Sequence, residues 1–243
     1  MRVIGISNKT RYWQHYAFSN PPEGYRYSRM ADVPWHVLKV SNQFLAHTKL
    51  LHPLKKADIF HTYNSVVVNH RPWVIEVESY LPRYKPMAES HPLFKWGLKR
   101  LRSNECKALV YTSENTSRLN RDRLIAQGVD PAKMHVIYRA IEQYLPGEKD
   151  NDRFTILFAG NGFYRKGGVE LLKAFQRLGR KDARLVIVST LEVDWGITPS
   201  AEDIAYTEKT IAEDDRITLH RGMSHAALLQ EMRKAHVFVS TTF

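Results

Sequence analysis

The sequence predicts an α/β protein built from two domains, each with a parallel sheet covered by helices. Apolar runs of strand length alternate along the chain with segments of helical periodicity, which is typical of parallel α/β folds. A polar stretch, EQYLPGEKDND over 142–152, interrupts the alternation, and its Pro-Gly pair favours a linker. At 243 residues the chain is long enough for two domains of ordinary size. We therefore predict domains over 1–145 and 146–243.

The first domain has the longer series of predicted elements. Asp32 and Pro34 are suited to the cap and first turn of a helix over 32–51. Ser113 is suited to cap a second helix, over 114–127. A third helix is predicted over 91–102, and strands are predicted over 3–7, 25–28, 57–61, 73–77, 108–112 and 134–138.

The second domain repeats the alternation in a shorter form. A strand buried on both faces is predicted over 154–159, because the run is nearly all apolar. Apolar residues then recur at helical spacing over 168–178, and Gly179 stands where a C-cap glycine belongs. Further strands are predicted over 184–189, 217–220 and 237–240, with helices near 201–212 and over 225–235.

The turn between the first strand and helix of the second domain carries the strongest functional signal. Gly160 and Gly162 allow a sharp turn and a close approach to a ligand. Arg165 and Lys166 stand beside a helix that begins near Gly167, where two cations repel the positive end of the helix dipole. A bound anion would offset that repulsion, so the turn predicts a phosphate site. An ordinary turn with surface cations is the alternative.

Neither common phosphate signature matches this turn. A P-loop needs glycine before its lysine and serine or threonine after it, but Arg165 and Gly167 flank Lys166. The dinucleotide motif G-x-G-x-x-G fits at Gly160 and Gly162 and fails at its third glycine, where Arg165 stands. Any phosphate site here is therefore of another kind.

Charge and cysteine content limit the classes of partner and compartment. Residues 1–150 carry 23 Lys and Arg against 13 Asp and Glu, whereas residues 151–243 carry 13 against 12, so the first domain holds nearly all of the net charge of +11. This asymmetry favours an anionic partner, with a basic surface that has no partner as an equal alternative.

The single Cys106 excludes an internal disulfide, and no stretch has the pattern of a spanning helix or signal peptide. We therefore expect a cytoplasmic protein.

The segment FAGNGFYRKGGVELLKAF, over 158–175, resembles the start of the nucleotide-sugar-binding domain of family 4 glycosyltransferases. The resemblance continues through ARLVIVST and RITLHRGMSHAALLQEMRKAHVFVSTT and reaches back to ALVYTSENTSRL and KMHVIYRAIE. Residues 105–243 match well, and residues 1–104 match by the order of elements. The resemblance implies the GT-B fold of two Rossmann-like domains. It also implies a retaining, metal-independent sugar transfer from a nucleotide diphosphate sugar, with no other cofactor.

In that family the cations of this turn contact the donor diphosphate. Carried over, Arg165 and Lys166 would stabilise the charge that develops on the leaving nucleoside diphosphate. Backbone around Arg221 would lie near the nucleotide base. The donor-binding residues that the resemblance implies are Gly160, Asn161, Gly162, Arg165, Lys166, Gly167, Gly222 and Met223.

The chain also departs from the family pattern. Family members carry an acidic E-x7-E motif just beyond the strand where this chain stops, at Phe243, so we expect the second domain to be incomplete. Ala140 replaces a glycine that is usual in the strand-end turn of the first domain. An alternative function is therefore a non-catalytic or partner-dependent remnant that binds nucleotide without turnover.

Catalytic candidates come from strand ends in the first domain, where the family commonly has a histidine near the donor sugar. The equivalent region, 73–79, has Glu76 and Glu78 instead, and His61 ends the preceding strand. Because ligands bind beyond the carboxyl ends of parallel strands, Glu78 and His61 are the catalytic candidates. Solvated or salt-bridged residues are the alternative, and the diphosphate itself could act as the base.

The most basic segment of the first domain is HPLFKWGLKRLRSNECK, over 91–107. It mixes Lys99, Arg100 and Arg102 with aromatic and aliphatic residues, which suits a helix on an anionic membrane surface that delivers a lipid-linked acceptor. A solvated helix with one buried edge is the alternative to a membrane-surface helix. A polysaccharide is the alternative to a lipid-linked acceptor. Nucleic acid is not expected, because no nucleic-acid module is recognised. The histidines show no metal spacing.

Overall fold

The computed structural model describes residues 1–7, 20–32, 43–51, 56–140, 145, 147–149, 152–193 and 197–241. The chain divides into two compact units, Met1–Glu142 and Gln143–Phe243, called unit 1 and unit 2 below. Each unit is a parallel sheet with helices, which confirms the predicted α/β fold class.

Unit 1 contains a six-stranded sheet in the order β2-β1-β4-β6-β7-β8, in which all neighbouring strands are parallel. Its strands are β1 (Arg2–Ser7), β2 (Tyr25–Met30), β4 (Ile59–Tyr63), β6 (Trp73–Val77), β7 (Cys106–Tyr111) and β8 (Met134–Val136). Two short strands, β3 (Thr48–Lys49) and β5 (Val66–Val67), form a separate parallel pair. The described helices are α1 (Gln43–Ala46), α2 (Pro92–Arg102) and α3 (Glu114–Ala126).

The core of unit 1 lies between its sheet and these helices. Trp73, Ile75 and Val77 of β6 are fully buried, and they alternate with the more exposed Val74 and Glu76. This period of two places one row of β6 side chains in the core, as expected for a strand. Because the sheet is parallel, the carboxyl ends of its strands share one edge, and the polar residues that follow those ends can meet there.

Unit 2 contains a four-stranded parallel sheet in the order β11-β10-β9-β12. Its elements are β9 (Phe154–Ala159), α4 (Gly168–Leu178), β10 (Ala183–Val188), α5 (Ala201–Glu213), β11 (Ile217–His220), α6 (His225–Lys234) and β12 (Val237–Phe238). Phe158, Leu172, Phe175 and Leu185 are buried in one core cluster, which confirms the apolar face predicted for the helix over 168–178.

One predicted helix of unit 1 is wrong over part of its length. The described part of 32–51 contains only the short helix Gln43–Ala46, and Thr48 and Lys49 form β3 instead. Asp32, proposed as its cap, makes an antiparallel bridge with Leu51. Residues 33–42, and with them the proposed Pro34, lie outside the described residues. The pairing of β3 with β5 is a tertiary interaction, which local helical periodicity does not reveal.

Candidate functional site

The predicted phosphate-binding turn joins β9 to α4 in unit 2. Gly160, Asn161, Gly162, Arg165, Lys166 and Gly167 all lie in this turn. A Cβ atom at Gly160 would lie 2.4 Å from Lys166 Nζ, which shows that the Lys166 side chain folds back over Gly160. Gly167 is the N-cap of α4 and has the left-handed φ of 70°, which favours glycine. Two half-buried cations thus stand directly before the N-terminus of the helix.

Backbone hydrogen bonds fix the conformation of this turn. The Lys166 N–H donates to Gly162 O at 3.0 Å, and the Gly168 N–H donates to Phe163 O at 2.9 Å. Thr241, beyond β12, places its Oγ1 2.6 Å from Lys166 O and 2.8 Å from Gly167 O. Hydrogen bonds within the turn and from Thr241 therefore hold the backbone that carries the cations.

The N-terminus of α4 has the electrostatic character of an anion site. No side chain caps it, because Gly167 has none to offer. The positive end of the helix dipole lies directly after Arg165 and Lys166 in the chain. Together these groups can neutralise a phosphate or diphosphate through charge-assisted hydrogen bonds.

The other two predicted donor residues, Gly222 and Met223, lie in the turn between β11 and α6. Their turn and the Gly160–Gly167 turn occur at the same, carboxyl edge of the sheet, separated by β10. A Cβ atom at Gly222 would meet no atom within 4 Å, so the space beside this turn is open. Arg221 Nη1 donates to Thr190 O at 3.2 Å, which links the loops that follow β11 and β10.

In unit 1, His61 and Glu76 belong to one charge network at the carboxyl edge of the sheet. His61 Nε2 lies 3.5 Å from Glu76 Oε2, and Arg139 Nε donates to Glu76 Oε1 at 2.6 Å. His61 Nδ1 lies 3.3 Å from the Tyr27 hydroxyl. Burial raises the pKa of Glu76, but hydrogen bonds and charges of His61 and Arg139 outweigh burial and hold that pKa below its ordinary value. Burial and the charge of Glu76 raise the pKa of Tyr27.

Glu78 lies beside this network and has its own set of donors. The Tyr63 hydroxyl donates to Glu78 Oε2, and Asn64 Nδ2 lies 3.4 Å from the same oxygen. Arg83 Nη1 is 3.7 Å from it. The Glu78 backbone N–H donates to Asn64 Oδ1 at 2.9 Å, so Asn64 holds both the backbone and the carboxylate.

The structure thus brings both catalytic candidates to one sheet edge and adds residues that sequence reasoning missed. Arg139 follows β8 and reaches Glu76 on β6, although 63 positions separate them. Tyr63 ends β4, Asn64 follows it, and both donate to Glu78. A signal existed for Arg139, which directly follows the strand predicted over 134–138, whereas Tyr63 and Asn64 lie two and three residues beyond the strand predicted over 57–61.

The basic segment of unit 1 forms α2, which packs one edge into the core. Phe94, Leu98 and Leu101 of α2 are buried in the core. Arg100 is only 6% exposed, and its Nε and Nη2 donate to Val67 O at 2.9 Å and Asn69 O at 2.8 Å. One edge of this helix is therefore buried, as in the predicted alternative, and binding to an anionic membrane surface stays a prediction. Its exposed cations are Lys95, Lys99 and Arg102.

The described ranges contain neither a metal-binding cluster nor a membrane-spanning helix. Within them, no group of three or more His, Cys, Asp or Glu side chains is arranged to hold a metal ion. No helix there combines the length and apolarity that crossing a bilayer requires. Cys106 is buried, and burial raises the pKa of its thiol to about 12, so it is unreactive near neutral pH.

Comparisons with known proteins place the fold. No protein-family model matches the sequence, and no curated protein matches it. Among solved structures, the lipopolysaccharide outer core galactosyltransferase WaaB aligns with a TM-score of 0.51 at 10% identity, over 100% of this chain and 74% of WaaB. OtsA aligns with a TM-score of 0.56 at 11% identity, over 99% of this chain and 78% of OtsA. A glycosyltransferase from Rickettsia africae aligns with a TM-score of 0.52 at 13% identity, over 99% of this chain and 73% of that protein. The fold is therefore that of GT-B glycosyltransferases, with two Rossmann-like domains, as predicted.

Proposed function

We propose that this chain is a glycosyltransferase that moves a sugar from a nucleotide diphosphate sugar to the hydroxyl of an acceptor. WaaB and the Rickettsia africae protein, which share its fold, are named as glycosyltransferases. The observation that carries the proposal is local: Arg165 and Lys166 stand in a fixed turn at the uncapped N-terminus of α4. In this proposal unit 2 binds the donor and unit 1 binds the acceptor.

The Gly160–Gly167 turn, called the donor turn below, would act mainly on the leaving group. Breaking the bond between sugar and phosphate builds negative charge on the departing oxygens, and cations already in place stabilise that charge without reorganising. Arg165 can bind phosphate oxygens with two parallel N–H groups, and Lys166 adds a point charge. Gly160 lets the diphosphate approach the backbone, and Asn161 and Gly162 complete the turn. The open space beside Gly222 and Met223 would receive the nucleotide base.

Retention without a metal is part of the same proposal. The two cations and the helix N-terminus supply the positive charge that a metal supplies in other transferases. An oxygen of the leaving diphosphate can accept the proton of the acceptor hydroxyl on the face from which it departs, so no protein nucleophile is required. Glu78 and His61 remain the candidates for contacts on the acceptor side, in unit 1.

Calorimetric titration of the full chain with UDP and with GDP tests the donor site. We expect one of them to bind, and we expect Arg165→Gln with Lys166→Gln to weaken binding at least about tenfold, because a hydrogen bond to a charged group contributes about 1.5–3 kcal/mol. The matched control is Lys173→Gln with Arg177→Gln, which removes the same charge from exposed positions of α4. This control should bind like the unmodified chain.

Two results would contradict the donor assignment. One is the absence of UDP and GDP binding by the unmodified chain, and the other is an equal loss of affinity in both double variants. Turnover distinguishes the enzyme from the alternative that binds nucleotide without catalysis. Release of UDP or GDP from a nucleotide sugar by this chain, abolished by Arg165→Gln with Lys166→Gln, would establish the enzyme.

Thr241 should position the cations without touching the donor. Thr241→Val removes the hydroxyl that lies 2.6 Å from Lys166 O while keeping the side-chain shape. We expect UDP or GDP affinity to fall about fivefold, since one hydrogen bond contributes about 1 kcal/mol, with little change in melting temperature. Thr241→Ser should restore the affinity. Equal affinities for the valine and serine variants would show that the hydroxyl has no such role.

A further inference from the structure

We infer that Glu78 binds a hydroxyl group of a carbohydrate acceptor through its Oε1 atom, which makes the carboxyl edge of β4 and β6 an acceptor subsite. The inference rests on the proposed function for the identity of the ligand. It rests on unit 1 alone for the geometry, because every contact involved lies between residues of that unit.

The first observation is the asymmetry of the Glu78 carboxylate. Its Oε2 has three neighbouring donors, from Tyr63, Asn64 and Arg83. Across the described ranges of the chain, the hydrogen bonds and the ion pair of this carboxylate are all made to Oε2, and half of the side chain (50%) is exposed. One oxygen is therefore anchored and the other is presented to solvent at the edge where parallel sheets bind their ligands.

The second observation is how firmly Glu78 is held. Asn64 accepts the Glu78 backbone N–H and donates to its carboxylate. On the other side, Thr116 Oγ1 of α3 donates to Glu78 O at 3.0 Å. Asn120, one helical turn further on, donates to Ser79 O at 2.9 Å. A carboxylate fixed from the strand and from the helix is preorganised for a ligand, which reduces the entropy cost of binding.

The groups around Glu78 favour a ligand that donates a hydrogen bond and carries no charge. An ionised carboxylate only accepts hydrogen bonds, so its ligand must offer a hydroxyl or an ammonium group. Arg83 stands beside Glu78, and Arg139 lies over the Tyr63 ring, 5.0 Å from its centroid. Burial is the main cause that lowers the pKa of neighbouring His47 to about 4, and the charges of Arg83 and Lys49 lower it further. A cationic ligand is disfavoured there, and a polyhydroxylated one is not.

The same contacts separate the roles of the two catalytic candidates. Both ring nitrogens of His61 face protein partners, Tyr27 and Glu76, and its side chain is 17% exposed. His61 is therefore a positioning residue that holds Glu76. Three donors surround one oxygen of Glu78, and this fixed carboxylate is suited to orienting a hydroxyl. The acceptor proton is then left to the diphosphate, as in the proposed mechanism.

Two binding measurements on the full chain test this subsite and distinguish the source of the sugar. The first is saturation-transfer difference NMR with methyl α-D-glucopyranoside and methyl β-D-galactopyranoside. The second is co-sedimentation with phosphatidylcholine vesicles that contain a monohexosyl diacylglycerol, against vesicles without it. Binding in the first indicates a soluble saccharide acceptor, and binding in the second alone indicates a lipid-linked one.

We expect Glu78→Gln to weaken the sugar-dependent signal about five- to tenfold, because a hydrogen bond to a charged acceptor is roughly twice as strong as a neutral one. Glu114→Gln, an exposed glutamate of α3, is the matched control and should leave the signal unchanged. Melting temperatures of both variants should stay close to that of the unmodified chain. Loss of signal in Glu78→Gln alone supports the subsite.

Equal signals in Glu78→Gln and the unmodified chain would overturn the assignment, as would the absence of sugar binding in both measurements. UDP and GDP titration of the same samples separates this failure from that of the proposed function. A chain that binds nucleotide but no sugar retains its donor site and lacks the subsite. A chain that binds sugar through Glu78 but neither nucleotide retains the subsite and loses the proposed function.

Discussion

Asn120→Ala is expected to lower the free energy of unfolding by about 3 kcal/mol, since an unsatisfied buried polar group costs about 1–3 kcal/mol and the substitution creates more than one. Asn120 is fully buried in α3. Its Oδ1 accepts the Leu81 N–H at 2.8 Å, and its Nδ2 donates to Ser79 O at 2.9 Å and Thr116 O at 2.8 Å. Alanine would leave the Leu81 N–H and the Ser79 carbonyl without these partners.

Urea denaturation followed by circular dichroism measures this loss, and an exposed asparagine of the same helix provides the control. Asn115→Ala should change the free energy of unfolding by less than about 0.5 kcal/mol, as is usual for exposed positions. Because Asn120 holds the segment that follows Glu78, its alanine variant should also weaken sugar binding. Equal stabilities for the Asn115 and Asn120 variants would contradict the hydrogen-bond account.

The sequence was sufficient to predict unit 2 in most of its features. The strand over 154–159, the helix over 168–178 and Gly179 at its C-terminus all appear in the structure. These features are local: an apolar run, a 3.6-residue period and a left-handed glycine are each visible within a few residues. The position of Arg165 and Lys166 before the helix follows directly from them.

The proposed acceptor site at the carboxyl edge of unit 1 was predictable only in outline. Strand ends indicated His61, Glu76 and Glu78. The hydrogen-bond partners of Glu76 and His61 include Arg139 and Tyr27, respectively, which lie far away in sequence. Side-chain pairing across a sheet is set by strand order, and strand order is a property of the whole fold. The roles of His61 and Glu78 could therefore be separated only in the structure.

Arg100 shows that composition alone does not separate the buried cations of α2 from its exposed ones. Cations and apolar residues alternate in this segment, which is equally compatible with a membrane surface and with a core helix. The deciding fact is that Val67 O and Asn69 O need donors, and Arg100 supplies them from inside unit 1. Charge reversal at Arg100 would therefore report on stability rather than on membrane binding, whereas Lys95 and Lys99 remain valid probes of an anionic surface.

Gly168→Ala is expected to destabilise unit 2 by about 3 kcal/mol, near the upper end of the cost of overpacking a core. A Cβ atom at Gly168 would lie 2.3–2.4 Å from three ring atoms of Phe163. Phe163 is fully buried and packs against Phe158 and Tyr164, with ring centroids 5.4 Å apart in each pair, so the ring has no room to move. The higher helix propensity of alanine returns only about 1 kcal/mol.

The clash can be separated from a general effect of removing glycine. Gly222→Ala is the matched control, because its Cβ atom would meet no neighbour within 4 Å. Phe163→Leu in the Gly168→Ala background should recover part of the lost stability, giving a coupling energy of about 1–2 kcal/mol between the two positions. Thermal unfolding of the two single variants and the double variant measures it. Strict additivity would show that the ring is not the obstacle. Because Phe163 O accepts the Gly168 N–H in the donor turn, Gly168→Ala should also weaken UDP or GDP binding, which connects the packing of unit 2 to its proposed chemistry.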